Sequence, residues 1–225
     1  MSGKIKFHDL GIISYQNALN LQTELFQNKI RAKISEISLS SDVFLCEHQH
    51  VYTIGKSGDE NNLLINSDFL KKINAEYYKT DRGGDITYHG PGQIVVYPII
   101  DLDTYHLGTK DYIYLLEYMI IDVLKEFNIA GEINPGNIGV WLNVGSEYER
   151  KICSIGVKIS KGITMHGLAL NVNTDLSYFN YINPCGFIEK GVTSIQKETG
   201  SFHSVDLIKK RITEELIQKL TNRLE

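Results

Sequence analysis

The sequence is short of cysteine, of positive charge and of long apolar runs. Three cysteines in 225 residues, Cys46, Cys153 and Cys185, are too few and too widely spaced for a disulfide framework. They form no Cys-x-x-Cys pair and no Cys/His cluster with ligand spacing, so no metal site is expected. The formal net charge is −4, which argues against a basic surface for non-specific nucleic-acid binding. Met1 to Asp9 holds Lys4, Lys6 and His8 but no apolar stretch of signal-peptide length. The most apolar run, around Ile94 to Ile100, is far shorter than the roughly 20 residues that span a bilayer. No internal repeat, low-complexity tract or linker interrupts the chain. The expectation is a soluble, cytoplasmic protein with free thiols, with no membrane and no nucleic acid among its partners. It is expected to fold as one domain over residues 1–225.

What is present is a mixture of two periodicities. Tyr15 to Lys33 reads as an amphipathic helix with Ala18, Leu21, Leu25 and Phe26 on one stripe. Asp42 to Ile54 reads as strand, turn and strand. Ser67 to Ile73 reads as a short helix capped by Ser67. Glu76 to Lys79 begins a strand that runs into a Gly-rich segment, and Ile94 to Ile100 is a β-rich run. The strongest helix is Thr109 to Phe127, with Thr109 or Asp111 as its cap. Asn134-Pro135-Gly136 marks a turn. Strands follow over Ile138 to Asn143, Lys151 to Ser160 and His166 to Val172, and a helix over Val205 to Leu224 behind a Ser204 cap. Helices mixed with antiparallel-looking strands predict an α+β fold, a largely antiparallel sheet packed with helices.

Three segments carry residues with chemical potential. The first runs Asp81-Arg82-Gly83-Gly84-Asp85-Ile86-Thr87-Tyr88-His89-Gly90-Pro91-Gly92-Gln93. Its glycines allow positive φ and close backbone approach to a ligand, and Arg82 can fork onto a phosphate or carboxylate. A tight hairpin accounts for the same residues. It is neither a Walker loop nor a dinucleotide fingerprint. The second is Arg150-Lys151-Ile152-Cys153-Ser154-Ile155-Gly156. Strict alternation puts Lys151, Cys153 and Ile155 on one face. A lysine facing a cleft is a candidate base, because desolvation lowers its pKa; a surface lysine is the ordinary alternative. The third is Asn183-Pro184-Cys185-Gly186. Pro and Gly bracket the thiol and predict a loop, where a nucleophilic cysteine near a cation would sit. A small buried hydrophobe is the alternative. Cys153 ranks second as nucleophile because a strand favours burial, and Cys46 reads as core.

Together these segments resemble the lipoyl(octanoyl) transferase family. The likeness lies in Arg82-Gly83-Gly84 through Gln93, in Arg150-Lys151-Ile152 with Ser154-Ile155-Gly156, in His166-Gly167-Leu168-Ala169-Leu170-Asn171, and in Asn183-Pro184-Cys185-Gly186. Weaker likenesses at Glu47-His48 and Thr193-Ser194 extend it over about residues 40 to 200. The resemblance implies the fold of the biotin and lipoate protein ligase catalytic domains. It implies transfer of octanoyl from octanoyl-acyl carrier protein to a lysine of lipoyl domains, those of 2-oxoacid dehydrogenases and of the glycine cleavage H protein. Cys185 matches the family's acyl-thioester cysteine and Lys151 its assisting lysine. Arg82, Gly83, Gly84, Asp85, Ile86, Thr87, Tyr88 and His89 match its acyl-binding pattern. So do Ser154, Ile155 and Gly156, and Gly167, Leu168 and Ala169. Asp85 stands where the family often carries Gln. His89 and His166 are candidates for orienting the acyl carbonyl or Lys151.

No cofactor is expected, because the acyl donor arrives activated. Three other readings share parts of this pattern. An ATP-dependent lipoate or biotin ligase has the same fold but needs no nucleophilic cysteine. A lipoyl amidotransferase uses the same chemistry with a different donor. A non-catalytic acyl-binding module needs neither Lys151 nor Cys185.

Overall fold

The computed structural model describes residues 5–37, 40–183 and 191–224. Its main sheet begins with β1 (Ile5–Ile12) and β2 (Ser41–Glu47), which run parallel and are joined through helix α1 (Tyr15–Ile34). β3 (Val51–Ile54), β4 (Glu76–Lys79) and β5 (Ile86–His89) form a separate three-stranded sheet in the order β4-β3-β5. Helix α2 (Ser67–Lys72) lies between β3 and β4 in sequence. The main sheet continues with β6 (Gln93–Ile99) and, after helix α3 (Thr109–Lys125), with β7 (Glu132–Asn134), β8 (Asn137–Leu142), β9 (Arg150–Ser160) and β10 (Ile163–Asn171). Its order is β1-β2-β6-β10-β9-β8-β7, and the short β11 (Gly191–Val192) pairs with β9. Helices α4 (Ile195–Thr199) and α5 (Val205–Thr221) close the chain. Most pairings are antiparallel; β1 with β2, β3 with β4 and β11 with β9 are parallel. The expected α+β architecture is what the chain adopts.

The central strands are covered on both faces, which explains their continuous apolar runs. Val43, Leu45, Ile94, Val96, Leu168 and Leu170 pack into one cluster with α3 and α5. Their neighbours Phe44, Cys46, Val95, Tyr97 and Ala169 pack into another with α1. Alternation by two thus serves two cores rather than a core and solvent. A third, aromatic-rich cluster, with Tyr52, Tyr88 and Phe179, sits on the small sheet.

Several local expectations change. On α1 the buried positions are Tyr15, Ala18, Gln22, Phe26 and Lys29, whereas Leu21 is 40% exposed. Two polar residues occupy the stripe because each has a buried partner. Gln22 Oε1 accepts from the His166 backbone N–H at 3.1 Å, and Lys29 donates to Asp42 at 2.7 Å and to the Ser40 carbonyl. α2 is capped by Asn66, not Ser67; the Asn66 side chain accepts from the Phe69 N–H. α3 starts behind Gly108 with no side-chain cap, so neither Thr109 nor Asp111 serves. The Ser204 cap of α5 forms as expected, on the Leu207 N–H. β1 is a strand that the sequence pattern did not signal.

Lys29 and Asp42 tie α1 to β2, and without Lys29 the buried Asp42 carboxylate keeps only His8 and Ser40 as side-chain partners. Lys29→Ala is expected to lower the unfolding free energy by about 3 kcal/mol. Leu21→Ala, on the exposed side, should change it by less than about 0.5 kcal/mol. Urea denaturation of the two variants checks the contrast.

Candidate active site

A cleft of about 420 Å³ opens between the Gly-rich loop and strands β6, β8, β9 and β10. That volume is in the range of small-molecule sites. Residues 82–87, His89, Lys151, 154–156 and 167–169 all line it. Tyr88, expected beside them, is not among the lining residues. Alternation along β5 turns it into the aromatic cluster, where its hydroxyl meets His50 Nδ1 at 2.7 Å and its ring stacks 5.0 Å from Tyr178. Sequence reasoning missed Tyr15, Val95 and Tyr97, which also face the cleft. Val95 and Tyr97 lie in an apolar run that reads as core, and Tyr15 reads only as the start of a helix.

The loop is docked on β9 by backbone. Gly83 N–H donates to the Val157 carbonyl at 2.9 Å. A Cβ on Gly156 would stand 2.7 Å from the Gly83 carbonyl oxygen, too close for any other residue. Glycine at 156 is therefore needed for this docking, more than for leaving the cleft open. Asp85 ties the loop back: it accepts from Asn62 Nδ2 and from the Ile86 N–H, each at 2.7 Å.

A directional line of hydrogen bonds connects this loop to the strands beyond. Arg82 is buried, and its guanidinium donates to the Thr53 carbonyl at 2.6 Å, to Thr53 Oγ1 at 3.0 Å and to the Gly83 carbonyl at 3.0 Å. The anion that the sequence left open for Arg82 is thus replaced, in these bonds, by protein oxygens. With Oγ1 accepting from Arg82, the Thr53 hydroxyl is free to donate to His89 Nε2 at 3.4 Å. His89 Nδ1 meets Gln93 Oε1 at 2.8 Å. Gln93 Nε2 donates to Asn171 Oδ1 at 2.9 Å and to the Tyr88 carbonyl, so its oxygen is the acceptor and His89 carries its proton on Nδ1. Asn171 Nδ2 donates to the Thr193 carbonyl at 2.9 Å, and Thr193 N–H donates to the Lys151 carbonyl at 2.9 Å. Burial, with His48 and the Arg82 guanidinium working in the same direction, pushes His89 down to about 3 despite the Gln93 bond, so its ring is neutral.

At the start of the loop Asp81 accepts from His166 Nε2 at 2.8 Å and from Lys158 Nζ at 2.5 Å. The His166 bond, then Lys158, holds the Asp81 carboxyl well below the usual range although burial opposes them. Burial pushes His166 down, so we read a neutral ring donating to a carboxylate. His166 takes φ +60°, a conformation rarely adopted by side-chain-bearing residues.

Lys151 reaches the cleft through an irregularity. β8 and β9 change register between Val140↔Cys153 and Trp141↔Lys151, which places one extra residue on β9. Ile152 and Cys153 are consequently both buried in the main core, while Lys151 and Ser154 both line the cleft. The expected shared face of Lys151, Cys153 and Ile155 is thereby corrected. Lys151 Nζ lies over the Trp141 ring, 4.5 Å from its centroid, a cation–π contact. Trp141 is the only tryptophan in the chain, and sequence reasoning passed over it. Burial pushes the Cys46 thiol up to about 12 and the Cys153 thiol higher still. Cys185 lies outside the described residues. Among the described residues no group of His, Cys, Asp and Glu could hold a metal ion, and no helix is long and apolar enough to cross a membrane.

Comparison with known proteins gives concordant findings. Residues 14–217 match the family described as the lipoyl protein ligase A/B catalytic domain. The chain is 50% identical to an octanoyltransferase of Bacteroides thetaiotaomicron over 216 residues, 96% of this chain and 95% of that protein. Its fold resembles an archaeal bi-partite lipoate protein ligase from Thermoplasma acidophilum, with TM-score 0.69 at 16% identity, covering 98% of this chain and 84% of the other. A biotin protein ligase from Aquifex aeolicus aligns with TM-score 0.52 at 12% identity, covering 99% and 71%. At these identities the last two comparisons establish the fold alone.

The buried neutral His89 links the site to pH. Its folded value of about 3 lies below the ordinary 6.5, so on acidification the unfolded chain takes up the proton first. His89 therefore stabilises fully above about pH 6.5, and that contribution is lost as pH falls toward 3. The slope it adds reaches about 1.4 kcal/mol per pH unit. Urea midpoints measured from pH 7 to 4 should fall less steeply in His89→Gln than in the parent.

Proposed function

Because the chain belongs to the lipoyl protein ligase A/B catalytic-domain family, we propose that it moves octanoyl from octanoyl-acyl carrier protein to a lysine of lipoyl domains. In this reading the group rests on Cys185 as a thioester, with Lys151 assisting. Acyl transfer is the activity in the names of its curated relatives, octanoyltransferases up to 50% identical over 96% of the chain. The acceptors proposed are the lipoyl domains of 2-oxoacid dehydrogenases and the glycine cleavage H protein. The proposed setting is the cytoplasm, with residues 1–225 acting as one catalytic domain.

One observation carries the choice of thiol. Cys46 and Cys153 are both fully buried, and burial keeps both protonated. A buried thiol held as S–H is inert toward a thioester. Of three cysteines in the sequence, Cys185 is the remaining candidate. Its place in the sequence, shortly before the strand Gly191–Val192 that pairs with Arg150 and Lys151, supports a partnership with Lys151.

The chemistry divides into two half-reactions. The Cys185 thiolate attacks the donor thioester carbon; the carrier's thiolate leaves and takes a proton from the Lys151 ammonium, which becomes the neutral amine. The acceptor amine then attacks the Cys185 thioester, Cys185 leaves as thiolate, and the amine proton passes to neutral Lys151. An ammonium at Lys151 favours the thiolate before the first step. Ile86, Val95, Ile155, Leu168 and Ala169 give the cleft an apolar wall suited to the acyl chain. At ~0.8 kcal/mol per methylene, burying the chain's methylenes contributes about 5 kcal/mol.

Intact-mass analysis after mixing with octanoyl-acyl carrier protein, without ATP, tests this reading. A gain of one octanoyl group is expected in the parent and in Cys153→Ala, and no gain in Cys185→Ala. A gain that persists in Cys185→Ala and vanishes in a folded Cys153→Ala would reverse the assignment. Transfer that requires ATP would favour a ligase.

A further inference from the structure

Helix α3 buries one acidic residue among its apolar positions. Glu117 is 2% exposed, in a stripe otherwise made of Tyr112, Leu115, Leu116, Met119, Ile120, Val123 and Leu124. A lone carboxylate in such a place is costly and calls for compensation. Glu117 Oε1 accepts from the Gly139 N–H at 3.0 Å. Oε2, also buried, has no hydrogen-bond partner.

Gly139 lies between this carboxylate and Lys151. It adopts φ +124°, which favours glycine. A Cβ there would stand 2.5 Å from the Cys153 carbonyl oxygen and 3.5 Å from Lys151 Cε. The Lys151 stem and the Glu117 carboxylate thus both meet Gly139. The Lys151 charge acts on Glu117, and Glu117 in turn acts on the Cys153 thiol, both on β9.

We propose that Glu117 is a positioning residue of the transfer reaction, acting through Lys151 as its buried counter-charge. This rests on the role given to Lys151 above. Burial raises the Glu117 pKa, the Gly139 bond and the Lys151 charge working against it. The coupling is reciprocal: the carboxylate stabilises the Lys151 ammonium. A more basic Lys151 serves both half-reactions. As ammonium it favours the Cys185 thiolate, and as free amine it accepts the acceptor's proton more readily.

Glu117→Gln keeps an oxygen for Gly139 and removes the charge. Lysines are converted to ¹³C-dimethyl-lysine by reductive methylation, and the Lys151 signal is assigned by its loss in Lys151→Arg. Its NMR titration midpoint is expected to fall by about one unit in Glu117→Gln, the lower end of the effect of a neighbouring opposite charge. In unmethylated enzyme, kcat for octanoyl transfer should fall about tenfold while KM for the lipoyl domain holds. Should Glu117→Gln not fold, the reciprocal measurement decides: the Glu117 carboxyl ¹³C midpoint should rise by about one unit in Lys151→Met. An unchanged midpoint in either experiment overturns the proposal. If the midpoints move but Lys151→Met transfers octanoyl at the parent rate, the pairing stands and the role in transfer is overturned with that of Lys151.

Discussion

The cleft depends on one line of directional hydrogen bonds, from Arg82 through Thr53, His89, Gln93 and Asn171 to Thr193. It starts in the Gly-rich loop, crosses the small sheet, enters the main sheet at β6 and β10, and ends beside β11 and the Lys151 carbonyl. Each member donates in one direction, so one reversed group would leave two buried atoms unpaired. In a low-dielectric interior that penalty is large. The line therefore fixes the relative position of the Gly-rich loop, strand β10 and the start of the segment after β11. His89 serves it as a neutral ring, which weakens its candidacy for proton transfer and supports a structural part.

Around this line the labour is divided by burial. The central strands are sealed on both faces and give the cleft an unyielding floor. Two of the three thiols are spent in those cores. Polar function is confined to the places where regular structure is broken: the glycine loop, the extra residue on β9 and the positive φ of His166. The extra residue is the most consequential. It turns Lys151 toward the cleft and Cys153, two residues on, into the core, and the Lys151 stem passes Gly139.

Much of this was legible in the sequence. The periodicity of α3 and the Ser204 cap are local properties, and both form where expected. The Gly-rich segment, Ser154 to Gly156 and Gly167 to Ala169 do converge on one cleft. What was illegible is tertiary in origin. Gln22 displaces Leu21 from the α1 stripe because the His166 N–H, distant in sequence, needs an acceptor. Tyr88 leaves the cleft because an aromatic cluster from another part of the chain receives it. Strict alternation failed on β9 because an added residue shows in a pairing register, not in one strand read alone.

In the proposed reaction a cation at Lys151 tunes the thiol that carries the acyl group. The most direct measurement is the pH dependence of Cys185 alkylation, followed by mass spectrometry of its peptide, in the parent and in Lys151→Met. Removing a neighbouring ammonium should raise the alkylation midpoint by about 1–3 units. Coincident curves in two folded proteins would contradict the account and confine Lys151 to the acceptor amine or to the shape of the cleft.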